Sequence, residues 1–429
     1  MRVIVIGCGL AGVTTAYYLR LLGAEVTVLD RSAAPARETS YANGGMLTPS
    51  LTDPWNSPGA LSVLLRSIGR EDASLLLRPS AVTSLLRWGL RFHASSSRDA
   101  FESAYLNNVR LALYSQTTLR ELLQTHTLEF EHAQDGTIKV FADQVTFEQG
   151  RRVAHWLKQA QLDHREMNRD QLLELEPALA PAAERLAGGI HFPGDEVGNA
   201  RLFCEALKAI AEDAGVVFRF SEQILEVNRR GRLIESLVTP RETLTADAYV
   251  LAAGAYSWPL GRMFGLRVPV RPVKGYSLTV PVGDDAVGDR DGGDKVVVPR
   301  YAVVDDTLHA AVVPLGGDKL RVAGTAEFAG FDVSLAPKRL ANLRALLEQL
   351  YPQIAAEEDA VEGWCGLRPV TPDGMPLLGA TARDNLYLNT GHGALGWTQA
   401  CGSGRAVAQL VMGQTTDEDV SAFAAARFR

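Results

Sequence analysis

The chain has 429 residues, 46% of them hydrophobic and 22% charged, with a formal net charge of -7. That length suits two or three domains with ample core, and the acidic balance argues against a nucleic-acid partner. No run of eighteen uninterrupted apolar residues occurs, so no spanning helix is expected. The four cysteines (Cys8, Cys204, Cys365, Cys401) make no CxxC pair and the eight histidines are scattered, which points to neither a disulfide framework nor a metal site.

Met1 leads within one residue into an apolar strand, without the charged, apolar and cleavable series of a secretory leader, so a cytoplasmic chain is expected. Residues 2 to 30 read as a βαβ start. Apolar VIVI runs into a turn with Gly7, Gly9 and Gly12, flanking Leu10 and Ala11; a helix follows through Tyr17 and Leu22, then Gly23 as its cap and the strand EVTVLD ending at Asp30. Gly7 permits the tight turn, Gly9 admits a pyrophosphate and Gly12 lets helix pack on strand. The helix N-terminus offers free N–H groups, and Asp30 suits the ribose hydroxyls. FAD and NAD share this turn, so an NAD-linked dehydrogenase stays open at this point. The next stretch, RSAAPARETSYANGGM, places Ser40, Asn43, Gly44 and Gly45 in a small-residue loop that reads either as a bed for a longer cofactor or as plain surface.

From 53 to 125 the pattern is helical and leucine-rich. Between Leu61 and Arg98, six arginines (Arg66, Arg70, Arg78, Arg87, Arg91, Arg98) meet only Glu71 and Asp72, interleaved with Trp88, Phe92 and leucines. Such a surface fits anionic lipid; a helix packed in a substrate domain is the alternative. TLEFEHAQDGTIKVFAD predicts two strands around an Asp135-Gly136 turn, followed by helices over 146–161 and from Asn168 to Pro177. An amphipathic helix capped by Gly215, then VVFRF and AYVLAAGAYS, resume the first domain. Residues 266–330 are β-rich (SLTV, KVVVP, HAAVVP, LRVAG) around an acidic, solvated loop from Gly283 to Lys295 with no assigned role. Tyr276 and Tyr301 in this region either shape a pocket or are packed sheet tyrosines. A helix at 337–350 precedes the closing segment.

That segment, LYLNTGHGALGWTQACGSG, repeats the strand-GxGxxG-helix layout with Gly391, Gly393 and Gly396, but only 33 residues follow Gly396, too few for another βαβ unit. The two turns therefore read as two ends of one FAD. The N–H groups of Leu395, Gly396, Trp397 and Thr398, with Ala394 beside them, would stabilise negative charge on the reduced flavin. His392 either faces the flavin edge or bonds a carbonyl.

Several stretches together resemble the FAD-dependent D-amino-acid oxidase superfamily, and within it the bacterial dehydrogenase branch. They include RETSYANGGMLTPS, FPGDEVGNARLF, ADAYVLAAGAYS, PVKGYSLTVP, GLRPVTPDGMPLLGAT and LNTGHGALGWTQACGSGR. The resemblance covers nearly the whole chain. It implies an α/β fold in which a Rossmann-like FAD-binding domain (1–52, 196–265, 356–429) interleaves with a sheet-and-helix substrate domain (53–195, 266–355). It also implies Asp30 and Arg31 near adenosine, Ile224 against adenine, and Ser40, Asn43, Gly44, Gly45 and Met46 along the flavin, with Ala253 and Gly254 close to the cofactor. Arg368, in GLRP, would clamp a substrate carboxylate; an ion pair with Asp373 is its structural alternative. Register from ValThrProAsp puts Gly366, not Cys365, where some relatives attach flavin, so the FAD reads as non-covalent. The implied reaction is oxidation of a D-amino acid with a membrane quinone as acceptor, on a chain lying peripherally at the inner face of the cell membrane. A secondary-amine substrate such as D-hydroxyproline, and an FAD-binding electron-transfer protein without amino-acid oxidation, are the alternatives. Flavin performs this chemistry itself, so no Ser/His/Asp set is required.

Overall fold

Short runs of strand-forming residues at 3–6, 26–29 and 249–251 build the centre of a six-stranded sheet in the computed structural model, which describes residues 1–71, 73–159, 162–282, 297–354 and 358–428. Its strand order is Leu377–Ala380, Leu386–Thr390, Ala248–Leu251, Arg2–Ile6, Glu25–Leu29, Val217–Arg219. All pairings are parallel except the first. A parallel sheet must be covered on both faces. Val3, Val5, Val26 and Val28 pack under the helices Leu10–Leu21, Ala200–Asp213 and Ala400–Val411, while Ile4, Ile6, Tyr249 and Leu251 pack with Ile234 and Phe264 on the other side.

Three neighbouring strands, Leu386–Thr390, Ala248–Leu251 and Arg2–Ile6, thus end at the same edge, where open α/β sheets receive ligands. Both glycine turns leave from that edge. At Gly7 (φ +107°) a Cβ would lie 2.6 Å from the Ala252 carbonyl oxygen, and at Gly12 only 1.8 Å from that of Gly7. The helix after the second turn crosses the first helix just as closely. A Cβ on Gly404 would meet Thr14 Oγ1 at 2.5 Å, and Thr14 Oγ1 donates to the Ala400 carbonyl at 3.0 Å.

The larger sheet has nine strands, in the order Glu362–Val370, Arg271–Pro281, Lys319–Phe328, Ala310–Leu315, Ala302–Asp305, Thr137–Phe141, Gly188–Phe192, Arg165–Asn168, with Leu75–Leu77 added on Lys319–Phe328. Alternate residues point to opposite faces. Leu278, Val280, Val303, Val312 and Val322 form one core with Leu343, Leu346 and Leu350 of the helix Pro337–Leu350. The other face looks toward the six-stranded sheet.

Some expectations shift. Glu362–Val370 is hydrogen-bonded into the larger sheet, so the chain returns to the smaller one at Leu377 rather than at 356. Ahead of Asp135-Gly136 only an isolated bridge forms, between Ala133 and Val197. Phe130 in that segment is buried edge-on to Phe203 and Trp397, so the stretch packs by its side chain rather than through a strand ladder. Residues 297–299 of the expected KVVVP strand are not in a strand, and the acidic loop at 283–295 lies outside the described residues. Among the described residues no helix is long and apolar enough to cross a membrane.

Because backbone faces backbone at Gly12, the clash cannot be relieved by a rotamer change; overpacking of this kind costs about 1–3 kcal/mol or more. Gly12→Ala is expected to lower Tm by several degrees and to yield protein with well under one flavin per chain; full occupancy by absorbance would contradict this account.

Candidate functional site

One continuous cavity of about 1120 Å³ runs from the carboxyl edge of the six-stranded sheet to the open face of the larger sheet. Common ligand pockets span about 300–1,000 Å³, so this one suits an extended ligand with a small one beside it. At one end Gly7, Gly9, Leu10 and Ala11 form the wall, with Gly12 beneath the turn. Gly9 and Ala11 carry N–H groups without a backbone carbonyl partner among the described residues, while Leu10 N–H donates to Ser40 Oγ at 3.2 Å. The Asp30 carboxylate accepts Cys8 N–H and Ser32 N–H, both at 2.7 Å, which fixes it at the wall. Arg31 pairs with Glu38 and lies over the Tyr256 ring at 3.6 Å. Ile224, Ala253 and Gly254 complete this end.

Ser40, Asn43, Gly44, Gly45 and Met46 line the middle. The larger sheet holds this loop: buried Arg321 donates through Nη1 to the Asn43 carbonyl at 3.0 Å, and Ser277 Oγ to that of Ala42 at 2.7 Å. Thr48 N–H donates to Thr398 Oγ1 at 3.1 Å, tying the loop to the second turn.

At that turn Gly391, His392, Gly393, Ala394, Leu395, Gly396, Trp397 and Thr398 all reach the cavity. The helix, however, begins only at Ala400, because Gly391 and Gly393 have positive φ and extend the turn. Gly393 N–H donates to the Pro369 carbonyl and Leu395 N–H to that of His392, both at 2.9 Å, so Leu395 is not a free donor. Gly396, Trp397 and Thr398 keep N–H groups without a backbone carbonyl partner among the described residues. His392 bonds neither a carbonyl nor a charge: Nε2 lies 3.2 Å from Ser403 Oγ, which itself donates to the Ala400 carbonyl. Burial lowers its pKa to about 4, so the ring is neutral.

Small residues also line the cavity from the larger sheet, Gly366 opposite Gly275 and, two residues along past a register shift, Ala311 opposite Ala323. Arg368 lies over Gly275, where a Cβ would come within 2.4 Å of its Cζ. Its Nη1 donates to the Thr325 carbonyl at 2.6 Å and the Trp55 ring lies 5.8 Å away, with no carboxylate at salt-bridge distance among the described residues. Burial alone lowers its pKa to about 10, which leaves it cationic at neutral pH. The alternative pair with Asp373 does not form, since Asp373 meets Arg427 Nε at 2.6 Å. Thr325, which the sequence did not mark, has φ +53°, a conformation costing a β-branched residue about 1–3 kcal/mol, and it aims its carbonyl at the guanidinium.

Both tyrosines belong to the core. Tyr276 edges the cavity wall, but it alternates with cavity-facing Gly275, packs behind the sheet beside Leu278, and donates its hydroxyl to Glu327 at 2.6 Å. Tyr301 lies away from the cavity, edge-on to His191. Cys365 also points behind the sheet, donating to the Val333 carbonyl at 3.1 Å. Asp53, Lys139, Asp306 and His309 line the far end, another set the sequence did not mark, because they come from three distant segments.

The basic segment is sorted by its helices. Trp88, which the lipid-surface reading places outside and the packed-helix reading inside, is 3% exposed and stacks on Phe92, with Phe328 nearby, which anchors the helix Val82–Ala94. Arg78 is taken by Glu71 and by Glu327 at 2.7 Å. Outward stand Leu86 at 62%, Leu90 at 73% and Leu65 at 55%, beside exposed Arg66 and Arg87; Val63, 52% exposed, also lines the cavity.

The glycine cradles, the unpartnered N–H groups at both turns and the fixed Asp30 fit FAD laid along the cavity. Comparisons agree. Residues 2–410 match the DAO family, described as FAD dependent oxidoreductase. D-amino acid dehydrogenase of Paramagnetospirillum magneticum is 42% identical over 415 residues, 96% of each chain, and that of Vibrio vulnificus 37% over 417, 97% of each. In fold, glycine oxidase from Geobacillus kaustophilus superposes with a TM-score of 0.75 at 24% identity, covering 99% of this chain and 98% of that one. L-proline dehydrogenase from P. horikoshii gives 0.75 at 16%, covering 100% and 97%.

With Cys365 turned away from the cavity, acid precipitation is expected to release all flavin into the supernatant. Colour retained on the pellet would mean a covalent link.

Proposed function

Because this chain belongs to the DAO family of FAD-dependent oxidoreductases, we propose that it oxidises D-amino acids to 2-oxo acids and ammonia and delivers the electrons to a quinone-type acceptor. The observation that carries the substrate class is Arg368, a half-buried cation that lines the cavity without a counter-charge at salt-bridge distance among the described residues. A planar guanidinium takes a carboxylate through two parallel charge-assisted bonds and so fixes its orientation. Bound FAD accepts the two electrons and the hydrogen lost from Cα. The chain supplies position. Gly7, Gly9 and Ala11 with Asp30 would hold the nucleotide part, and the loop from Ser40 to Met46 would line the flavin. Gly396, Trp397 and Thr398 offer positive partial charge at the second turn. Neutral His392 adds no competing charge, and the small residues of the larger sheet leave room for substrate over it.

The acceptor and the membrane rest on other residues. Val63 joins the cavity wall to an outer surface with Leu65, Leu86 and Leu90, rimmed by Arg66 and Arg87. Apolar side chains ringed by arginine suit a bilayer surface, where each nearby arginine contributes about 1 kcal/mol at low salt. An apolar acceptor dissolved in that bilayer would meet the cavity at Val63.

Removing one partner of a buried charge pair commonly costs about 2–5 kcal/mol. Arg368→Ala is therefore expected to lower kcat/KM for D-alanine by at least thirtyfold with flavin content unchanged, and Arg368→Lys to recover part of it; near-normal kinetics would assign the carboxylate elsewhere. Wild type is expected to turn over rapidly with a soluble quinone analogue and slowly with oxygen, and to sediment with anionic vesicles less as salt rises. Leu86→Ser, Leu90→Ser and Arg87→Glu together should abolish sedimentation and spare dye-linked turnover. Peroxide formed at the full turnover rate would make the protein an oxidase.

A further inference from the structure

Beyond the nucleotide end and the second glycine turn, the cavity lining is exposed to solvent at two further places among the described residues, at Ser57 and Val63 and at Gln149 and His309. These two mouths lie on different parts of the larger sheet. Val63 belongs to the helix Ala60–Arg66, whose Leu64 packs in one cluster with Leu77 and Phe328, so the first mouth stands by the strand Lys319–Phe328. Gln149 belongs to the helix Gln144–Gln159. Its residues Thr146, Gln149, Gly150 and Val153 share one helix side and border the cavity, while Phe147 packs on Phe141 of the strand Thr137–Phe141. Between the two strands come Ala310–Leu315 and Ala302–Asp305, so three pairing steps of about 4.8 Å put the mouths on the order of 14 Å apart.

Their chemistry differs. At the second mouth Lys139 Nζ meets Asp306 Oδ1 at 2.6 Å, both side chains partly exposed, and Gln149, His309 and Asp53 are also on the lining. Both signs of charge are thus presented to an incoming molecule. At the first mouth Ser57, Ala60 and Val63 are uncharged, and the surface continues outward as Leu65, Leu86 and Leu90. A free amino acid is a zwitterion; stripping its charges of water against apolar side chains is costly, whereas a polar rim replaces each lost water with a protein partner. We propose that the mouth at Lys139, Gln149 and His309 admits the D-amino acid, so that substrate and acceptor reach one cavity from separate sides. From this mouth the lining passes strand by strand through Ala311, Ala323 and Gly275 toward Arg368, with nothing larger than a methyl group on those three residues. The proposal rests on the reading of the chain as a D-amino acid dehydrogenase whose acceptor meets the cavity at Val63.

The four natural cysteines are buried, so in Gln149→Cys and Val63→Cys only the new thiol is open to a bulky maleimide, and each folded holoenzyme is compared with itself before and after labelling. Anaerobic bleaching of the flavin by D-alanine at low concentration reads substrate entry, and reoxidation of the photoreduced enzyme by a soluble quinone analogue reads the other half-reaction. Labelling Gln149→Cys is expected to slow bleaching at least tenfold and to leave reoxidation within about twofold; labelling Val63→Cys is expected to do the reverse. Unchanged bleaching in labelled Gln149→Cys, equal slowing of both half-reactions there, or slower bleaching in labelled Val63→Cys overturns the polar entry alone. Absence of bleaching by D-alanine in wild type and in both unlabelled variants overturns the proposed reaction as well.

Discussion

Only a hydrogen atom fits between Gly12 and the carbonyl of Gly7, where a Cβ would sit at 1.8 Å. That contact presses the start of the first helix onto the end of the central strand, so its free N–H groups point past the carboxyl edge of the sheet. The strands on the same side, ending at Leu251 and Thr390, open there too. Backbone donors from separate parts of the chain thus converge on one space before any side chain is considered, and an extended phosphate-bearing cofactor satisfies them.

The second sheet adds what a backbone cannot. Its open face is kept flat by Gly366, Gly275, Ala323 and Ala311, and Arg368 is laid over it through a carbonyl supplied by Thr325 in a strained conformation. A half-buried cation with only a carbonyl for company is costly, and the cost is offset when a ligand brings the opposite charge. The same low dielectric that disfavours the empty arrangement strengthens the filled one. Arg321 and Ser277 reach from this sheet to the loop at 42–43, so the two layers hold the cofactor bed jointly.

Around this chamber the helices are divided by what they bury. In Val82–Ala94 the aromatic residues Trp88 and Phe92 turn inward against Phe328, and Leu86 and Leu90 are left outside. Large aromatic rings gain most from burial, so they take the core side. The surface that remains is aliphatic and cationic, and it meets the cavity wall at Val63.

The sequence by itself determined the βαβ start, the family, the cofactor and the presence of Arg368, because these depend on local pattern: glycine spacing, strand and helix periods, and one short motif. Other features are decided by alternation and by partners distant in the chain. Tyr276 and Gly275 are neighbours on one strand, and only the placement of the sheet sends the ring to the core and leaves the glycine in the wall. Asp373 stood five residues from Arg368 but was claimed by Arg427 from the far end of the chain. Asp53, Lys139 and Asp306 come from three separate stretches and carry no shared motif, so their meeting in one cavity is a property of the tertiary structure alone: contact across a fold is set by which faces pack, and a linear pattern records only the period of each face.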